Sequence, residues 1–391
     1  MKILLLELDG KLPNLALMRI AAHHKRLGDE VVLRRIVRAA SVDNYARRIV
    51  GKDSIFDAFD RIYASLIFSK TKPVAEALLK ARPDAIVGGT GWDDYGSDPM
   101  RITSLEEIGI FSREVDYTLY PNFKRSIGYT QLGCRMTSKT CGWCSVPLRE
   151  GKVRAIQTIE QLWRGAPYPR ELLLLDNDFF GQPDWRSLIA AIREGGFRVS
   201  FNQGINARMI NDEVAAAIAS IKYRDDDFKK SRIYTAWDSK PDEKVLFRGL
   251  ESLVRHGIKA DNIMVYLLIS FDAGGFADWD YRRARLREFG ARPYPMPFVR
   301  STEAVGFQRW VIGAYDRPRL IHDPEKHEQL EPEDVETVRR LEDEGVYYHD
   351  DKKRLWCRAV KWEEWVRAKY QPANLPGRKL RRPQRALELQ A

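Results

Sequence analysis

The chain has 391 residues, 44% hydrophobic and 31% charged, with a formal net charge of +10. That length suits two domains and a small third, and that composition argues against a disordered chain. No stretch approaches the about 18 apolar residues a membrane-spanning helix needs. The opening run Met1 to Leu6 meets acid at Glu7 and reads as a buried strand rather than a secretory leader.

Residues 1–120 alternate strand and helix. The apolar run 3–8 suits a strand buried in a parallel sheet. Residues 14–27 have helical spacing, with Leu15, Leu17, Met18, Ala21 and Ala22 as the stripe and Gly28 as the stop. Strands at 31–33, 62–68 and 85–87 and a helix at 74–81 complete the pattern. The alternation predicts a doubly wound, Rossmann-like α/β domain. Gly88-Gly89-Thr90-Gly91 after a strand suits either a tight turn or close backbone approach to a ligand. His23 and His24 fall on the helix, where a solvated or capping role is expected.

A second strand–helix series fills 121–300. Strands are predicted at 127–132, 172–175, 198–201, 232–236, 263–269 and 293–298. Helices are predicted at 158–164, 185–194, 211–221, 244–256 and 280–289. Such a series corresponds to a partial (β/α)6 barrel, three-quarters of a closed one. Residues 301–370 read as a small α+β extension: a helix at 332–344, a hairpin at 347–349 and 354–357, and a helix at 359–370. The remainder, 371–391, is a basic tail expected to be disordered, with Arg378, Lys379, Arg381, Arg382 and Arg385. It is either a solvated end or a contact for nucleic acid.

Three of the four cysteines, Cys134, Cys141 and Cys144, share one short loop between a predicted strand and helix. Barrel active sites are built at that rim. Without a leader, cysteines do not imply disulfides, and a cytoplasmic setting is expected. A structural zinc needs four closed ligands, yet only one C-x2-C pair is present, and Cys357 is remote in sequence. Unliganded core cysteines are the other plain reading. Three thiolates suit a [4Fe–4S] cluster with one iron left open.

The segment from Ser126 through Cys134, Cys141-Gly142-Trp143-Cys144 and Pro147 to Lys152 resembles the cluster loop of radical S-adenosylmethionine (SAM) enzymes. It looks most like the subgroup with an N-terminal cobalamin-binding-like domain. The strand ends Leu175 to Phe180 and Phe201 to Arg208 are also similar. Trp143 matches the aromatic residue that precedes the last cysteine in that family. The C-x6-C-x2-C spacing departs from the family's C-x3-C-x2-C.

The resemblance implies that Cys134, Cys141 and Cys144 hold the cluster and that its open iron chelates SAM. Reductive cleavage of the sulfonium would then allow hydrogen abstraction from a substrate, with methyl or sulfur transfer as candidate outcomes. A reductant such as flavodoxin or ferredoxin is implied. Asp176 or Asp178 would accept the methionine ammonium, Arg208 would bind its carboxylate, and Gln203 and Asp238 would meet the ribose. Each has an ordinary structural alternative: a helix cap for the acids, a surface pair for the arginine. Cobalamin is possible, but no histidine follows Asp9, where Gly10 stands. Two rivals remain: an iron–sulfur electron-transfer or sensing protein closed by Cys357, and a nucleic-acid-binding protein with a structural metal. Cys357 is otherwise a small buried side chain or a substrate-facing thiol.

Overall fold

The computed structural model describes residues 1–35, 58–92, 104–137, 140–271, 274–325, 327, 329–330 and 332–375. The basic cluster from Arg378 to Arg385 lies outside them. The protein is mixed α/β with parallel sheets. It divides into two compact units, Met1–Gln203 with Ser220–Ser231, and Gly204–Ala219 with the chain from Arg232 onward. Among the described residues no helix is long and apolar enough to cross a membrane.

The first sheet of the first unit contains β1 (Lys2–Glu7), β2 (Glu30–Arg35), β3 (Arg61–Ser65) and β4 (Ile86–Gly88), all parallel, in the order β2-β1-β3-β4. Strand alternation sends Leu4 and Leu6 to one face, where they join Ile62, Val74 and Leu78. Ile3 and Leu5 go to the other face, with Leu17, Ile20 and Tyr63. The helices α1 (Leu15–Arg26) and α2 (Lys72–Ala81) supply those partners from opposite sides. A continuous apolar strand is the outcome when both faces are covered. Asn14 caps α1 by accepting from the Leu17 amide at 3.1 Å, and Gly28 follows its end with φ +82°.

One expectation changes here. His24 is not solvated: it is 2% exposed, with Nδ1 2.7 Å from Asp29 and Nε2 3.0 Å from the Tyr63 hydroxyl. Of the two readings of the glycine run, the tight turn agrees with the packing at Gly89 and Gly91, while Gly88 has open space around it. A β-carbon on Gly89 would lie 2.2 Å from the Leu66 carbonyl oxygen, and one on Gly91 2.5 Å from the Phe68 backbone. Asp9 is likewise engaged locally, accepting from the Ile67 amide at 2.6 Å, the Phe68 amide at 2.9 Å and the Thr71 hydroxyl.

The second sheet of this unit is also parallel. It runs β5 (Ser126–Gly128), β8 (Glu171–Leu174), β9 (Arg198–Phe201) and β10 (Lys222–Tyr223) in adjacent order. The strand expected over 127–132 is broken. Its second part, β6 (Gln131–Leu132), pairs antiparallel with β7 (Arg154–Ala155). The cause is Asp176, whose carboxylate takes the Thr130 and Gln131 amides, each at 2.9 Å, and turns the chain out of the sheet. The helix expected over 158–164 shortens to α4 (Ile159–Leu162), started by a Thr158/Gln161 capping box; the turn α3 (Val146–Arg149) precedes it in the cysteine loop. Helix α5 (Trp185–Glu194) has the expected bounds.

The second unit begins with helix α6 (Asp212–Ala219) and the parallel sheet β11 (Ile233–Trp237), β12 (Ile263–Ile269) and β13 (Arg292–Pro297). Helices α7 (Glu243–Arg255) and α8 (Gly275–Phe289) alternate with these strands. Helix α8 starts before the expected Asp280. Its first turn opens on Gly274-Gly275, which do not read as helix in sequence, and its buried face includes Arg282, bonded to Asp278 and to the Trp237 and Leu268 carbonyls. Then come α9 (Thr302–Ile312), which was not expected, β14 (Arg319–His322) and α10 (Pro332–Asp343), followed by β15 (Tyr347–His349), β16 (Leu355–Cys357) and α11 (Trp362–Arg367). The expected hairpin is present, and β14 adds a third antiparallel strand in the order β14-β16-β15.

Candidate metal centre

The cysteine loop is fastened at both ends. The β6–β7 ladder pairs Gln131 with Ala155 and Leu132 with Arg154 across its base. Gly133 then turns with φ +87°, and a β-carbon there would stand 2.3 Å from the Lys152 carbonyl oxygen. Its amide donates to Glu150 Oε2 at 2.8 Å, which also accepts from Asn177 Nδ2 at 3.0 Å. The Cys134 amide reaches the Gly151 carbonyl at 3.3 Å. Further along, the Cys141 amide donates to Thr137 and the Cys144 amide to the Cys141 carbonyl, so the second and third cysteines share one tight turn. Trp143 is half-buried within it.

Asp178 holds the start of the loop. Arg135 donates to it from Nε at 2.8 Å, from Nη2 at 2.8 Å and from the backbone amide at 3.0 Å. Two parallel charge-assisted bonds fix direction as well as distance. Gly181 leaves the room: a β-carbon there would lie 2.4 Å from Asp178 Oδ2. This carboxylate is therefore committed to the loop.

Asp176 differs. It is buried, and Oδ1 alone takes the Thr130 amide, the Thr130 hydroxyl and the Gln131 amide. Oδ2 is buried with no protein partner. Burial pushes its pKa up to about 7, against the pull of those three donors. Beside it, Gln131 is 0% exposed with both amide atoms unpartnered. Gln182 donates to the Thr130 hydroxyl at 2.8 Å and closes the cluster. Buried polar groups are nearly always satisfied, so adjacent orphan atoms point to something polar that completes them.

None of the cysteines is in a disulfide; Cys141 is buried, while Cys134 and Cys144 are half-buried. The Met136 amide donates to Cys134 Sγ at 3.4 Å. Burial pushes the Cys134 thiol up, and the nearby Asp178, Cys141 and Cys144 add to the rise. Among the described residues, no three His, Cys, Asp or Glu side chains are gathered as one metal ion would need. Ser138 and Lys139, within the loop, lie outside those residues. The donor chemistry fits a soft metal centre. Cys141 and Cys144 lie near enough to Cys134 to act on its thiol, but among the described residues the three are not gathered into a metal site.

The other expected residues are placed as follows. Gln203 is exposed in the first unit and donates to Asn202 Oδ1 at 3.0 Å. Arg208, in the second unit, already carries a carboxylate: Nη1 is 3.0 Å from Asp242, and Nε is 3.1 Å from Asn206. Asp238, also in the second unit, is pushed up to about 6 by burial, opposed by Arg208 and Arg282. Sequence reasoning missed Arg135, Glu150, Gln131 and Thr130. The adjacency of Arg135 to Cys134 was visible, but its partner lies 43 positions away. No protein-family model matches the chain, and comparison with curated proteins gives no match.

Proposed function

We propose that this chain is a radical SAM enzyme whose cluster loop is the Cys134, Cys141, Cys144 segment. The observation that carries the reading is the conjunction of a fastened three-thiol loop with a buried, half-satisfied Asp176 beside it. The architecture supports it: a parallel sheet ordered β2-β1-β3-β4, as in doubly wound domains, then parallel strands in adjacent order, as in a partial barrel.

In this reading the three thiols would hold a [4Fe–4S] cluster. When bound, the cluster and SAM supply one-electron cleavage chemistry that amino-acid side chains lack. The protein's share is positioning and exclusion of water. Asp178 orients the loop through Arg135, which removes it from the two acids considered for the methionine ammonium. Asp176 remains, with Oδ2 as the available acceptor. The reading rests on the first unit; Arg208 and Asp238 have no part in it, and no cobalamin role is proposed for the first sheet.

Anaerobic reconstitution followed by dithionite and SAM tests the proposal. Iron and sulfide bound to the chain, with 5′-deoxyadenosine released, are the expected results. Zinc in their place overturns it.

A further inference from the structure

The second unit contains a cavity of about 470 Å3 beside the antiparallel sheet β14-β16-β15, away from the cysteine loop in sequence. Val346, Val360 and Leu375 give it an apolar wall. Its charge is one-sided, with Arg319, Arg358, Arg367 and Lys369 against Glu364 alone. Glu364 is already spent: Arg358 donates to its two oxygens at 2.9 and 3.0 Å.

Arg319 is the group that asks for a ligand. Strand register sets it opposite Cys357, which faces Tyr347 on its other side. Its guanidinium stacks on the Tyr315 ring at 4.3 Å, and Nη2 reaches Cys357 Sγ at 3.5 Å. Sulfur is a weak acceptor. Its Nε is buried with no hydrogen-bond partner. A buried charged donor left in that state is costly, and an oxygen acceptor in the cavity would relieve it. Lys369, which lines the cavity, and Tyr370 after it are consecutive non-glycine residues with φ +53° and +56°. The Tyr370 ring lies against Gly306, where a β-carbon would come within 2.2 Å of it, so this backbone is held by packing.

We propose that this cavity binds a small organic carboxylate, with its carboxylate at Arg319 and its apolar body along Val346, Val360 and Leu375. The planar guanidinium fork matches a carboxylate. The apolar wall favours a ligand with a hydrocarbon body over a bare inorganic oxyanion.

The test uses the full-length protein and benzoate as the probe. Calorimetric titration is expected to show saturable binding, at least tenfold weaker in Arg319→Gln. In the unsubstituted protein, benzoate is expected to slow alkylation of Cys357 by iodoacetamide and leave the three loop cysteines unchanged, which keeps the test valid should the variant misfold. Inorganic phosphate is expected to compete at least tenfold less well. Absence of benzoate binding, equal binding by Arg319→Gln, no protection of Cys357, or equal competition by phosphate would overturn the proposal.

Discussion

Asp178 grips both the side chain and the main chain of Arg135, the residue that follows Cys134, so one carboxylate fixes where the first thiol of the loop begins. The carboxylate is almost fully buried and the guanidinium about a third exposed. Breaking the pair therefore costs less than a wholly buried one would. Asp178→Asn is expected to lose about 2 kcal/mol, the scale of a hydrogen bond to a charged group. It should also open the loop to limited proteolysis between Arg135 and Lys152. Gly181→Ala is expected to do the same without altering either charge, because its β-carbon would intrude on both partners. Denaturant midpoints and cleavage mapping check this; unchanged cleavage in both variants would remove the clamp from the account.

Asp176 gives a pH dependence with a definite sign. Burial holds its pKa at about 7, above the ordinary value of 3.8. The folded protein thus keeps a proton that the unfolded chain gives up. The resulting stability is complete below about pH 4 and is lost as pH rises through about 7. Asp176→Asn removes the titration, so the difference between urea midpoints at pH 5 and pH 8 is expected to shrink relative to the unsubstituted protein. An equal or larger difference in the variant would show that this carboxyl ionises normally.

Cys357 divides two readings of the cysteines. Its sulfur lies in the cross-strand row with Arg319 and Tyr347, and it donates to the Arg358 carbonyl at 3.6 Å. Cys357→Ala is expected to retain the iron and sulfide that the reconstituted protein binds, whereas Cys134→Ser, Cys141→Ser and Cys144→Ser each lose most of them. Colorimetric iron and sulfide assays read the outcome. Loss in Cys357→Ala would instead indicate a closed cluster with four thiolates.

What the sequence made legible is what local pattern controls. The apolar runs of β1 and β12 and the amphipathic stripe of α5 each declare their element, and the bounds of β9, β12 and α5 match expectation. The cysteine cluster was visible for the same reason, as residues close along the chain. The break between β5 and β6 was not, because it is made by a carboxylate 46 positions from Thr130. The first turn of α8 was hidden by its glycine start at Gly274 and Gly275, and β14 by its place at a sheet edge. Asp176 and Asp178 were equivalent as letters. Only the donors that folding brings to them separate a loop anchor from an acid with an oxygen to spare.

Gly28 and Gly89 separate two costs that a glycine substitution usually mixes. Both have positive φ, +82° and +106°. A β-carbon on Gly28 would meet nothing within 4 Å, whereas on Gly89 it would meet the Leu66 carbonyl oxygen at 2.2 Å. Gly28→Ala is expected to cost about 1 kcal/mol, the backbone term for a left-handed non-glycine residue. Gly89→Ala carries the same term and must also move the chain after β3, where Leu66 donates to the Gly88 carbonyl and accepts from the Gly91 amide. Its loss is expected to be at least twice as large. Urea unfolding of the two variants measures the difference, and equal midpoints would mean that the Leu66 turn yields without resistance and that the glycine run is free to serve another purpose.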